Sequence, residues 1–324
     1  MSEKLLEVED LRTYFYTDEG VVKSVDGVSF EIKKGETFGL VGESGCGKSV
    51  TALSIMKLIP DPPGKIVSGK IEFEGEDLAK LTEKQMQKIR GNKISMIFQE
   101  PMTSLDPVFT IGSELIETIQ LHQDLKKDEA YGQSVEMLKL VGIPDPERRM
   151  KQYPHELSGG MRQRAMIAMA LACRPSMLIA DEPTTALDVT IQAQILNLME
   201  GLKEEFNTSV LLITHDLGVV AQYCTNVAVM YAGNIVEYGS VYDIFEEPKH
   251  PYTKGLIKSL PSLDKNVERL EILEGNVPSL IDAPKGCRFQ PRCDVCTDKC
   301  IDSFPDLRYV TESHMVRCHR EAGK

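Results

Sequence analysis

GESGCGKS, residues Gly42–Ser49, follows the apolar run ETFGLV (36–41) and opens the helical stretch GKSVTALSIMKLI (47–59). The octamer fits G-x-x-x-x-G-K-[ST], and its place between a strand and a helix is the context that motif requires. Glycines let the backbone curl until successive N–H groups point inward at a polyphosphate. The start of the helix adds partial positive charge at the same point. Gly42, Ser44, Gly45, Cys46, Gly47 and Val50 then supply the cradle, Lys48 reaches the β- and γ-phosphates, and Ser49 offers a hydroxyl to Mg²⁺. The competing reading is a Gly-rich turn before a helix, which the strand–loop–helix setting disfavours.

Two further strand ends carry the chemistry such a loop needs. MLIADEP (177–183) is an apolar strand closing on two carboxylates. Asp181 belongs on the magnesium shell, and Glu182 is placed to polarise an attacking water. Alone, the pair would read as solvated acids at a strand end. LLITHD (211–216) ends on His215. A histidine there is more often structural, but at the same sheet edge as Lys48 and Glu182 it suits a γ-phosphate contact.

The remaining pattern is an α/β alternation. VSFEI (28–32), ETFGLV (36–41), KIEFEG (70–75), ISMIFQ (94–99), MLIAD (177–181), SVLLIT (209–214) and the stretches 226–231 and 234–239 read as strands, whereas 112–141, 159–172 and 189–206 read as helices. Interleaving of this kind predicts a sheet covered on both faces. Residues from about 100 to 175 are helical with few strands and read as an insert. After about 245 the chain turns rich in Pro and Cys, and a small C-terminal module is expected over 246–324.

Bulk properties narrow the partners. The chain has 324 residues and a formal net charge of −12, which argues against a general grip on nucleic acid. No apolar run approaches the ~18 residues of a membrane-spanning helix. The N-terminus MSEKLLEVED is acidic and lacks a signal-peptide core. The chain reads as cytosolic, where thiols stay reduced and a cysteine cluster more often holds metal than forms disulfides.

LSGGMRQR (Leu157–Arg164) places a serine and two glycines at the mouth of a helix. This is a second helix N-terminus with bare N–H groups suited to an anion. One nucleotide cannot easily use both ends of one chain if they lie on different subdomains. A dimer resolves this, each nucleotide being clamped between one subunit's Gly-rich loop and its mate's Ser158, Gly159 and Gly160. With the loop at 42–49, Gln99 in IFQEP, LSGGM at 157–161, LIADEP at 178–183, TALD at 185–188 and His215 in order, the sequence resembles the ATP-binding subunits of ABC transporters.

That resemblance implies a P-loop NTPase core over 1–245 with an inserted helical subdomain, a head-to-tail nucleotide sandwich, and hydrolysis of ATP with Mg²⁺. It further implies that Gln99 links Mg²⁺ or water to the membrane partner, that Asp188 lies at the dimer interface, and that Phe15 or Tyr16 stacks on adenine. Those aromatics would otherwise be strand core. Met161 departs from the glutamine common at its position, leaving Ser158 and the backbone donors intact.

FQEPMTSLDPVFTIG (98–112), HPYTKGLIKSLP (250–261) and the cysteine tail resemble the dipeptide/oligopeptide import group, and within it the "D"-type ATPase. The implied partners are a second, different ATPase subunit, two membrane permease subunits and, indirectly, an extracytoplasmic peptide-binding protein, with the chain at the cytoplasmic face of the membrane. Nickel importers of the same group carry very similar ATPases and form the second reading. An ABC-type ATPase acting on DNA or ribosomes is the remote one, since the chain has a single ATPase unit and is acidic. A nucleotide-gated scaffold with negligible activity of its own is a further alternative.

The tail spaces its thiols as Cys287-x5-Cys293-x2-Cys296-x3-Cys300-x17-Cys318. Four thiolates from a loop-rich segment can hold Zn²⁺ or an iron–sulfur cube, and a small module poor in core residues needs such a staple. The resemblance implies a 4Fe-4S cluster on Cys287, Cys293, Cys300 and Cys318, with Cys296 as an alternative ligand. Zn²⁺ and unligated thiols remain alternatives. Cys173 and Cys224 read as small core hydrophobes.

Overall fold

The computed structural model describes residues 3–99, 105–185, 187–259, 273–281 and 283–320. The chain forms two compact units that each draw on separate stretches of sequence. One comprises 33–36 and 81–211, and the other 3–32, 37–80 and 212–324.

The second unit carries the Gly-rich loop. Its N-terminal part is an antiparallel sheet of β1 (Lys4–Thr17), β2 (Gly20–Lys33), β4 (Gly64–Phe73) and β5 (Glu76–Asp77), in the order β2-β1-β4-β5. Leu6, Val8 and Leu11 of β1 are buried while Glu7, Glu9 and Asp10 are not, the half-buried alternation of such a sheet. β3 (Thr37–Val41) differs: all five residues are buried. It runs parallel to β9 (Asn226–Tyr231), with Phe38 opposite Asn226 and Val41 opposite Val229. Near-continuous apolar runs are what a strand buried on both faces requires.

β9 turns through Ala232 and Gly233 into antiparallel β10 (Asn234–Ser240). β12 (Met315–Val316) pairs with β10, and β11 (Arg308–Tyr309) with β12. The end of the chain thus extends the sheet that contains β3. Fully buried Glu237 of β10 secures this join: it accepts bonds from the N–H groups of Lys249 (2.6 Å) and His250 (3.0 Å) and lies 2.8 Å from Nε2 of His314. A core of Val41, Val229, Tyr231, Val236, Tyr252 and Phe289 joins sheet and tail, with Cys287 and Cys293 packed against it.

The first unit pairs β6 (Ile94–Ile97) in parallel with fully buried β7 (Met177–Asp181). Its longer helices span Ile111–His122, Lys127–Leu140, Gly159–Leu171 and Val189–Phe206. The expected helical stretch 112–141 is therefore two helices, broken where Gln123 and Lys126 turn extended. β8 (Ser209–Thr214) is buried throughout. No described helix is long and apolar enough to cross a membrane.

Candidate functional site

Close packing sets the shape of the Gly-rich loop. Gly42 has φ +152°, and a Cβ there would stand 2.1 Å from the carbonyl oxygen of Met230. Gly47 has φ +106°, and its Cβ would stand 2.2 Å from the carbonyl of Ser24. No side chain fits at either distance. Between them the Cys46 carbonyl accepts a bond from Gly233 N at 2.8 Å, so the loop is seated on the β9–β10 turn. The helix Lys48–Ile55 starts directly after Gly47, and its first N–H groups have no partner in the preceding turn. Ser44 and Gly45 are exposed and Ser49 and Val50 half-buried, whereas Cys46 is wholly buried. Burial pushes the Cys46 thiol up, making it a packing residue rather than a nucleophile.

Lys48 folds back over this loop. Its ammonium group donates to the carbonyls of Gly42 (2.8 Å) and Glu43 (3.1 Å). Only 5% of the residue is exposed, so its charge is concentrated where the loop amides converge. His215 belongs to the same unit and is exposed at the end of β8. The next residue, Asp216, caps the helix Leu217–Tyr223 by accepting from Gly218 N at 2.8 Å. Of the two aromatics, Phe15 packs against Gly64, whereas Tyr16 is 51% exposed.

The other unit gathers the acidic residues. Asp181 is buried at the end of β7 and Glu182 half-buried just beyond it. Glu182 has φ +48°, a left-handed conformation that costs a non-glycine residue roughly 1–2 kcal/mol. One carboxylate oxygen of Glu182 accepts from Gln99 Nε2 at 3.2 Å and from Thr185 Oγ1 at 3.0 Å. Gln99 and Glu182 are thus brought together across 83 residues of chain. Lys48 and His215 belong to the other unit.

Ser158 caps its helix through a bond from Met161 N at 3.4 Å. Ser158 and Gly159 are exposed, and nothing lies within 4 Å of a Cβ built on Gly159. That helix end is open to an anion. Just over one turn on, fully buried Gln163 donates to the carbonyl of Pro183, tying this helix to the loop that carries Glu182. Asp188 is exposed and caps Val189–Phe206 through Ile191 N at 2.9 Å. Thr185 and Gln163 were not singled out from sequence, although a lone glutamine in the mostly apolar stretch after LSGG was a visible signal.

The cysteine tail folds on itself. Cys287 N donates to the Cys300 carbonyl at 2.8 Å, and Gly286 packs so closely that a Cβ would sit 2.1 Å from the same oxygen. Cys287, Cys293, Cys300 and Cys318 line one cavity with His250, Phe289 and Val295; Cys296 is not part of its wall. Burial, reinforced by the neighbouring thiols, pushes Cys287 up to about 11. Burial also holds His250 neutral, down at about 4. Four sulfur donors line one cavity, the donor type that a thiophilic group takes. Among the described residues, no set of three or more His, Cys, Asp or Glu side chains is arranged to hold a metal ion.

A loop shaped for polyphosphate, an Asp-Glu strand end with its glutamine, and a Ser-Gly-Gly helix mouth together define an ATP-binding cassette. Comparison with known proteins agrees. Residues 25–185 match the ABC transporter family, and residues 236–300 match the oligopeptide/dipeptide transporter C-terminal region. The chain is 55% identical to the oligopeptide transport ATP-binding protein AppD of Bacillus subtilis, covering 97% of this chain and 96% of that one. It is 48% identical to the dipeptide transport ATP-binding protein DppD of Escherichia coli, again over 97% and 96%. Among solved structures, a dimeric post-hydrolysis state of the ATP-binding cassette MJ0796, bound to ADP and Pi, superposes with a TM-score of 0.65 at 26% identity, covering 73% of this chain and 98% of that one. The chain belongs to the ATP-binding subunits of oligopeptide/dipeptide ABC transporters. It is an ATPase that uses ATP with Mg²⁺ and works with membrane permease subunits.

The packing of the two glycines gives a sharp contrast. Gly47→Ala forces a Cβ onto the Ser24 carbonyl and is expected to weaken Mg-ATP binding by at least about 10-fold, the equivalent of roughly 1.4 kcal/mol. Gly45→Ala has open space around it and meets only the left-handed backbone cost, about 1 kcal/mol. Calorimetric titration of both variants checks this. Equal affinities would show that the loop is not held by those contacts.

Proposed function

We propose that this chain is one of two different ATPase subunits that drive uptake of dipeptides or oligopeptides. The single observation that carries the reading is the open Ser158–Gly160 helix mouth on the chain that also carries the Lys48 loop. Each end suits a phosphate, and a head-to-tail pair of subunits lets one nucleotide use both. The dimeric cassette of the structural neighbour supports this arrangement, and the naming of the curated relatives supports a peptide as the solute.

In this reading the amides of Gly42–Ser49 and the Lys48 ammonium hold the β- and γ-phosphates. Val50 completes the loop's contact, and Tyr16 or Phe15 stacks on adenine. Ser49, Gln99 and Asp181 are the residues that would hold Mg²⁺. Glu182, oriented by Gln99 and Thr185, polarises the attacking water, and His215 contacts the γ-phosphate. Ser158, Gly159 and Gly160 of the mate close over the same phosphate, with Asp188 at the interface. Charge that builds on the phosphoryl oxygens is met by Lys48, and Mg²⁺ would supply further positive charge there. An extracytoplasmic binding protein delivers the peptide to the permease subunits.

Cys287, Cys293, Cys300 and Cys318 would hold a 4Fe-4S cluster in the thiol cavity, with a structural role. Four thiols around one cavity are the donor set that supports this reading, with Zn²⁺ as the alternative occupant. Such a group supplies bonding between segments that bury little apolar surface of their own.

Glu182→Gln in the assembled transporter is expected to lower steady-state ATP hydrolysis by roughly 10²–10⁴-fold and to trap the ATP-bound closed dimer. Uptake of a labelled tripeptide should fall with it. Unchanged turnover would remove Glu182 from its role, and loss of nickel uptake with peptide uptake intact would favour the nickel reading. Protein purified without oxygen should be brown and carry about four iron and four labile sulfide per chain; a colourless protein with stoichiometric zinc would overturn the cluster.

A further inference from the structure

The second residue of the phosphate loop is a glutamate, an awkward neighbour for a polyphosphate. At a few ångströms two like charges repel strongly wherever water is excluded. The structure answers this charge from the far end of the chain. Nη1 and Nη2 of Arg292 lie 2.7 Å and 3.0 Å from the two carboxylate oxygens of Glu43, fork against fork. The same guanidinium donates through Nε to the Glu274 carbonyl at 3.0 Å and through Nη2 to the Leu273 carbonyl at 3.2 Å. It lies 5.7 Å from the Tyr231 ring centre. The Arg292 side chain is only 4% exposed. A cation buried so deeply is tenable because it is paired and fully bonded.

The backbone of Glu43 is held as well. Its N–H donates to the hydroxyl of Tyr252 at 3.0 Å, and its carbonyl accepts from Lys48. Tyr252 is wholly buried, 4.6 Å from the Tyr231 ring and 5.5 Å from Phe289. Of the three groups on Glu43 that fix the entry to the loop, two are thus held by residues from beyond β10. Arg292 directly precedes Cys293 in the tail.

We propose that Arg292 and Tyr252 are positioning residues of the nucleotide site: the tail neutralises Glu43 and sets the backbone entering the phosphate loop, and ATP affinity depends on it. Neither residue touches the reacting atoms. The inference rests on the loop being the ATP site and not on what the thiols hold.

The test uses the full-length chain and calorimetric titration of Mg-ATP. Arg292→Ala leaves the Glu43 charge uncompensated and is expected to weaken binding about 10-fold. Adding Glu43→Gln removes that charge and should restore affinity to within about threefold of wild type. A role of Arg292 in tail folding alone would not be rescued by a change in the loop. Tyr252→Phe deletes one hydroxyl from a well-packed ring and is expected to cost about threefold, which keeps the idea testable if Arg292→Ala does not fold. In the assembled transporter Arg292→Ala should raise KM for ATP while kcat stays within twofold. Wild-type affinity in both Arg292→Ala and Tyr252→Phe, or a double variant no tighter than Arg292→Ala, overturns the proposal. A wild-type chain that binds no Mg-ATP would overturn the loop assignment and this inference with it.

Discussion

Everything in the nucleotide-binding unit depends on how closely the backbone of residues 42–47 approaches its neighbours. Gly42 lies against the Met230 carbonyl and Gly47 against that of Ser24, at separations that exclude any side chain. With the Gly233–Cys46 bond, these contacts force the turn that aims backbone N–H groups inward. The buried parallel pair β3–β9 gives the turn a rigid base. Lys48 then adds a full charge to a site already biased toward anions by a helix N-terminus. Lys48 itself is held by the carbonyls of Gly42 and Glu43.

The acidic unit uses strain differently. Glu182 is left-handed without being glycine, and its carboxylate is oriented by Gln99 and Thr185. A residue held against its own backbone preference is pre-organised, so less order has to be created when water and phosphate arrive. Gln163 ties the Ser158 helix to the same loop through Pro183. In the proposed reading, the helix that would face the mate's nucleotide is thereby tied to the segment that carries Glu182.

Much of this was legible in the sequence because the decisive signals are local. Strands buried on both faces, such as Met177–Asp181 and Ser209–Thr214, read as apolar runs, and the stretch 189–206 read as the helix that Val189–Phe206 forms. The loop, the Asp-Glu strand end and the Ser-Gly-Gly helix each announce themselves within eight residues. β1 was not legible. Its KLLEVEDLRTYFYT mixes charges into a half-exposed strand, and a register shift between Glu9 and Thr13 interrupts the alternation. The Arg292–Glu43 pair was hidden for another reason: its partners are 249 residues apart, and nothing in either local pattern names the other. Thr185 stood in a quoted motif, but its bond to Glu182 needs the turn that the left-handed glutamate creates.

The central claim is that one ATP is held by the loop of one subunit and by the serine-tipped helix of another. Mg-ATP binding to the isolated chain, and ATP-dependent association with its mate followed by sedimentation, separate the two grips. The account predicts that Lys48→Ala abolishes binding to the lone chain, whereas Ser158→Ala leaves that binding within twofold yet abolishes association. If Ser158→Ala weakens binding to the lone chain as severely as Lys48→Ala, or if association survives it, the shared grip is contradicted.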